Sequence, residues 1–169
     1  MEFTEVERER LAKLERLRAS GVEPYPLRSQ FARRRVMAAD AVRRALASAQ
    51  NHADALENNE AAVMGRIVAR RIMGKAAFLG VEDVSGKIQF YARVGDDSLD
   101  ADSFARFKEL DLGDFIEAQG TLFVTKTGEP SLRVTDWRLL AKAISPLPIA
   151  KEEKAARWIG RALQRVQRS

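Results

Sequence analysis

The chain of 169 residues is 46% hydrophobic and 31% charged, which suits one ordinary domain with appendages, and no apolar run nears the ~20 residues that span a bilayer. Zero cysteines exclude disulfides and thiolate metal sites, the single His52 excludes a multi-histidine centre, and the charged opening MEFTEVERER lacks a secretory apolar core, so a cytoplasmic location is expected and a membrane is not an expected partner. The net charge of +5 is uneven: residues 151–169 hold six Lys/Arg against two Glu, whereas 61–145 hold twelve of each sign, so a nucleic-acid grip there must come from local clustering.

Thr4-Glu5-Val6-Glu7 has capping-box spacing and predicts a helix over Glu5 to Ala19, closed by Gly21, Pro24 and Pro26. Its apolar stripe (Val6, Leu11, Leu14, Leu17) is thin, which fits a solvated helix lightly packed on its own domain, with another subunit or RNA as alternatives. Residues 24–36 read as an extended linker in which Arg33-Arg34-Arg35 is either solvated or a phosphate contact. A short helix is expected over Ala38 to Ala49, then a polar loop from Asn51 to Glu60 that leaves His52 in solvent.

From Ala61 onward strand patterns dominate. The first strand, Ala62 to Met73, puts Val63, Gly65, Ile67 and Ala69 on one face, with Gly65 and Gly74 as bend or bulge positions. Ala77 to Val84 and Lys87 to Arg93 alternate about a Ser85-Gly86 turn, the pattern of a tight hairpin. A helix over Asp100 to Leu110 follows, then strands from Asp114 to Thr125 and from Ser131 to Ala143 around the turn Lys126 to Pro130. The expected fold is mainly β with flanking helices. Five strands with a helix between the third and fourth is the order of a Greek-key OB-fold barrel, whose second and third strands form a common binding face for nucleic acid or sugar.

The hairpin is the candidate site. If Leu79, Val81, Ile88 and Phe90 face the core, Phe78 and Gln89 stand side by side outside, with Tyr91 and Arg93 on the same face. A ring, an amide and the nearby cations Arg66, Arg70, Arg71 and Lys75 are what an unstacked base and its phosphates require. A one-residue slip would exchange the faces and bury Phe78 instead. No Gly-rich phosphate loop, catalytic dyad or metal cluster is evident, so no catalytic residue, metal or cofactor is expected.

RRIMGKAAF, then EDVSGKIQFY, DLGDFIEAQG, TKTGE and RLLAKAISPLP, resemble the N-terminal anticodon-binding domain of bacterial class II lysyl-tRNA synthetases, and RLAKLERLRASGVEPYP is similar to that family's N-terminal helix and linker. The resemblance covers about residues 5–148. It implies a lysine-type tRNA as partner and a uridine-rich anticodon as ligand. It also implies roles. Phe78 falls on the phenylalanine that stacks on the central uridine, and Gln89 on the glutamine that hydrogen-bonds that base. Arg71 falls on an arginine near the same base, and Glu129 on an acidic residue that reaches the anticodon from the loop between strands four and five. Arg66, Arg70, Lys75 and Lys126 are then candidates for positioning the RNA backbone.

The expected organisation is N-terminal helices and linker at 1–60, the barrel at 61–148, and a basic amphipathic helix at 149–169. In that tail Ala155, Trp158, Ile159, Ala162, Leu163 and Val166 share one helical face. Only 21 residues follow Pro148, so the class II motifs have nowhere to sit and the chain alone is not expected to aminoacylate. Three readings stay open: a stand-alone anticodon module, a split half of a lysine–tRNA ligase that works with a separate catalytic chain, or a barrel kept for protein–protein interaction.

Overall fold

In the computed structural model, residues 2–50 and 59–146 are described. The expected C-terminal helix and His52 lie outside them. Two helices, α1 (Glu5–Ala19) and α2 (Ala38–Gln50), precede the strands β1 (Glu60–Met73), β2 (Ala76–Asp83) and β3 (Gly86–Arg93). Helix α3 (Ala101–Lys108) then leads to β4 (Phe115–Val124) and β5 (Pro130–Ala141). The strands close into a barrel in the order β1-β2-β3-β5-β4, with β3 and β5 parallel and the other pairs antiparallel. Among the described residues no helix is long and apolar enough to cross a membrane.

Alternation of apolar and polar residues sets the barrel wall. Ile67, Leu79, Val81, Ile88, Phe90, Ile116, Leu122, Leu132 and Leu139 fill the interior with essentially no exposure. Phe104 and Phe107 of α3 close one region of that core, and Phe107 meets Trp137 edge-on at 5.5 Å. Helix α2 packs through Ala38, Ala41 and Ala45, whose small side chains let it lie close to the strands. Gly120 is where strands pack tightest: a Cβ there would stand 1.8 Å from the Arg133 carbonyl oxygen.

Two strand details differ from the sequence-based expectation. The register of β1 on β2 shifts between Ile67 and Ala69, so the bulge lies at Val68 and not at a glycine. It reverses the alternation: Ile67 is buried, whereas Ala69 and Arg71 face outward. Gly74, with φ +55, serves the β1–β2 turn. The β2–β3 loop is Val84-Ser85, one residue earlier than expected, because the Asp83 carboxylate accepts from Ser85 N, Ser85 Oγ and Gly86 N. Asp83 also accepts from Ala38 N and so ties the hairpin to the start of α2.

The N-terminal segment clasps the barrel through polar contacts. Thr4 and Glu7 form the capping box of α1. Arg10 is almost fully buried and donates to the carbonyls of Ala143 and Ser145 at 3.3 and 3.2 Å. Lys13 reaches Asp111 at 2.7 Å, and the fully buried Lys142 ammonium binds Asp111 and Asp114 at 2.8 Å each. Downstream, Tyr25 Oη donates to the Lys142 carbonyl, and buried Glu117 of β4 accepts from Ser29 Oγ and Gln30 N.

Burial raises the Asp111 carboxyl pKa, but hydrogen bonds and charge from Lys13 and Lys142 outweigh it and hold the group below its ordinary 3.8. Its folded value is depressed, so the stability it contributes is present above 3.8 and is lost as pH falls through the lower folded value. Lys13→Met should therefore flatten the acid limb of a stability–pH curve measured by urea unfolding. An unchanged limb would mean that Lys13 does not act on Asp111.

Candidate nucleic-acid interface

Strand register lays the outer face of the barrel out in rows that run across the strands. One row reads Arg71, Phe78, Tyr91, Arg133, Thr121 from β1 to β4. The adjoining row reads Ala69, Gly80, Gln89, Ser131, Phe123. The first carries rings and cations. The second begins with the two smallest side chains, so its β1–β2 end is a depression. A hollow of about 270 Å³ lies there, over Ala69 and Gly80, walled by Arg71, Phe78, Gln89 and Glu129. The Val68 bulge is what turns Ala69 into its floor.

Gln89 therefore stands across from Gly80, and the direct partner of Phe78 is Tyr91. Phe78 and Gln89 are diagonal neighbours on one face and not directly side by side as expected; the observed turn brings them closer than a Ser85-Gly86 turn would, which would set Gln89 against Glu82. The Arg71 guanidinium lies 4.9 Å from the Phe78 ring centroid. Phe78 is half-buried, and its ring lines two hollows.

The Gln89 amide is oriented by a residue that sequence reading missed. Gln89 Nε2 donates to Ser131 Oγ at 3.0 Å, and Ser131 Oγ donates its single proton to the Glu129 carbonyl at 3.1 Å. Ser131 can thus only accept from Gln89, which directs the amide nitrogen to β5 and leaves one N–H and Oε1 for a ligand. A serine in a strand carries no sequence signal for this; only its register against Gln89 does.

Glu129 is exposed at the rim. Its loop is fixed by Glu129 N donating to Thr125 Oγ1, Thr125 N donating to the Glu129 carbonyl, and Gly128 at φ +89. Lys126 is exposed in the same loop. It lines a second hollow of about 710 Å³ that shares Arg71, Phe78, Gln89 and Glu129 with the first. Lys87, also unforeseen, lines the smaller hollow.

The other expected cations are dispersed. Arg70 borders the smaller hollow and donates to the Lys108 carbonyl. Arg66 lies beside the Phe115 ring at 4.7 Å and pairs across strands with Glu82, outside both hollows. Lys75 is exposed in the β1–β2 turn and lines neither.

Residues 61–140 match the OB-fold nucleic acid binding domain of the tRNA-anticodon family. This part of the chain is an OB-fold tRNA anticodon-binding domain. Its homology runs to lysine–tRNA ligases. One from Roseiflexus castenholzii is 45% identical over 150 residues, covering 88% of this chain and 28% of that protein. The heat-inducible lysine–tRNA ligase of Escherichia coli K12 is 43% identical over 149 residues, with the same coverage. That of Clostridium novyi is 36% identical over 149 residues, 87% of this chain and 26% of that protein. The chain thus spans between a quarter and a third of the length of these relatives. The alignments reach beyond the anticodon-binding domain itself, since 88% of the chain is more than the barrel.

Proposed function

We propose that the domain binds a lysine-type tRNA by its anticodon, holding the central uridine in the hollow over Ala69 and Gly80. The observation that carries this reading is the convergence of Arg71, Phe78, Gln89 and Glu129 on that one hollow. Phe78 stacks on the base, Gln89 reads its edge, and Arg71 and Glu129 bound it from either side. Arg70 and Lys126 lie close enough to serve the RNA backbone, while Arg66 and Lys75 would meet it only farther from the hollow.

The oriented amide gives the reading its selectivity. Uracil offers a carbonyl acceptor beside an N–H donor, and the free N–H and Oε1 of Gln89 match the two together. Cytosine reverses that pattern, and the amide cannot turn to follow it without giving up Ser131. A wrongly paired edge costs roughly 1–3 kcal/mol.

The test is an anisotropy titration at fixed moderate salt against two anticodon stem-loops, one with the lysine anticodon and one with its central uridine changed to cytidine. Wild type should prefer the first by about tenfold, which is roughly 1.4 kcal/mol. Gln89→Ala should bring the two affinities together. Equal, steeply salt-dependent binding of both stem-loops by wild type would instead leave a basic surface without base reading.

In the cell this binding would serve lysine attachment to tRNA together with a class II catalytic domain, on the same polypeptide or a separate one. What supports that step is homology to named lysine–tRNA ligases over 88% of the chain. A catalytic chain recovered with this protein, and lysylation that depends on both, would favour a split arrangement.

A further inference from the structure

The run Arg33-Arg34-Arg35 is seated on the barrel and not left in a free linker. Phe31 before it is buried, and Val36 after it donates its backbone N–H to the Ala62 carbonyl at 2.9 Å, beside a bridge from Arg35 to Ala62. Between these anchors the short 3-10 turn Ala32–Arg34 leaves all three arginines exposed. Residues 28–50 hold six arginines, no lysine and the single acid Asp40, a net +5, whereas residues 61–145 carry no net charge. Arginine is the side chain whose planar fork matches a phosphate with two parallel hydrogen bonds.

These cations gather at the first residues of β1. Arg34 pairs with Glu60, Arg35 Nη1 donates to Met64 Sδ at 3.1 Å, and Arg44 Nη2 of α2 donates to the Glu60 carbonyl at 3.1 Å. Arg43, the neighbour of Arg44, pairs with Asp40. Both ion pairs stay open to water, with Arg34 57% and Arg43 76% exposed. Exposed pairs bind weakly, so a phosphate can replace the carboxylate at small cost. Arg33 has no hydrogen bond or ion pair among the described residues. Like charges set this close repel, a cost that an anion removes. The place matters as much as the charge. Glu60 stands across from Thr121, which ends the row that begins Arg71, Phe78. From Phe78 to Glu60 that row crosses four strand spacings, roughly 19 Å at about 4.8 Å each. A stacked strand advances about 3.4 Å per nucleotide, so this is about five or six nucleotides. An RNA backbone at Glu60 is then past the loop bases at the hollow and in the paired stem.

We propose that Arg33, Arg34, Arg35 and Arg43 form a phosphate-binding surface for the paired stem of the RNA whose loop base lies over Ala69 and Gly80. The ligand class is the sugar–phosphate backbone of an RNA duplex, gripped by charge without regard to sequence. The stem surface supplies affinity and orients the loop, and the hollow supplies the choice of base. The inference rests on the reading that the smaller hollow holds an anticodon base.

The experiment measures the salt dependence of binding for wild type and two triple variants. One is Arg33→Gln/Arg34→Gln/Arg35→Gln; the other, Arg8→Gln/Arg16→Gln/Arg18→Gln, removes the same charge from the exposed side of α1. The probes are the lysine anticodon stem-loop, the same stem-loop with its central uridine changed to cytidine, and an unpaired oligonucleotide of the loop sequence alone. On the intact stem-loop the first variant should bind about tenfold or more weakly and lose about 2–3 from the slope of log K against log salt, the share of three phosphates. It should keep the uridine preference and match wild type on the loop oligonucleotide, and the α1 variant should match wild type throughout. Wild type alone should show a steeper slope on the stem-loop than on the oligonucleotide, so the test survives if a variant does not fold. An unchanged slope for the first variant, an equal loss in the α1 variant or on the loop oligonucleotide, or equal wild-type slopes on the two probes would overturn the stem surface. Failure of the anticodon reading looks different: wild type would then bind the uridine and cytidine stem-loops alike, while the slope of the first variant still falls.

Discussion

Lys142→Met is expected to cost about 3–5 kcal/mol of folding stability, the usual penalty for removing one member of a buried ion pair. Lys142 and Asp114 are fully buried, at 0% side-chain exposure, and Asp111 joins them at 16%. Methionine fills the space of the lysine stem but leaves the Asp114 carboxylate facing the interior with only the backbone N–H groups of Asp111 and Ala143. The loss comes from that stranded charge and not from the attraction that the pair supplied, since desolvation offsets most of the latter. The double variant Lys142→Met/Asp114→Asn should therefore be more stable than Lys142→Met alone. Urea unfolding of the three proteins measures this. A loss below about 1 kcal/mol for the single variant would show that water reaches Asp114 once the lysine is gone.

Phe78→Ala is expected to weaken tRNA binding by about 1–3 kcal/mol, between several-fold and a hundredfold. Stacking accepts any base, so the loss should be nearly equal for the uridine and cytidine stem-loops, the opposite of the selective effect expected for Gln89→Ala. Part of the loss comes from Arg71, whose guanidinium lies over the Phe78 ring and would be freed to sample solvent. Phe78→Trp should retain much of the affinity, because the larger face still stacks. Selective loss of uridine binding alone would place Phe78 at the base edge and overturn the stacking role.

The wall of the barrel was legible because strand alternation is local. Leu79 and Val81, and Ile88 and Phe90, declare their face within two strands of eight residues each, and all four are buried. The order of five strands with a helix after the third was likewise readable, since each is bounded by glycine, proline or aspartate. What local pattern cannot carry is register. The Val68 bulge has no glycine to mark it, yet it turns Ala69 outward and so makes the floor of the hollow. Gly80 and Ser131 looked like ordinary strand residues; their importance lies in what stands opposite them on neighbouring strands. Phe78, Gln89 and Arg71 were candidates from strand pattern and local charge; the family likeness supplied their individual roles and added Glu129, and the structure gathers all four at one hollow. Arg10 likewise has no local signal: its helix is rich in charge, and two carbonyls distant in sequence draw this guanidinium inside.

The clasp also bears on the order of events during synthesis. Arg10 meets carbonyls 133 and 135 residues farther along the chain, and Lys13 meets a carboxylate 98 residues on. At roughly 5–20 residues per second, the ribosome needs about 7–27 s to deliver Ser145 after Arg10. Throughout that interval α1 has no barrel to lie on. An ordinary amphipathic helix would spend the time with a broad greasy stripe exposed, open to other nascent chains and to chaperones. Helix α1 docks instead by a guanidinium, an ammonium and two leucines, Leu14 and Leu17. A segment made before the barrel it lies on is thus written in residues that water tolerates while it waits.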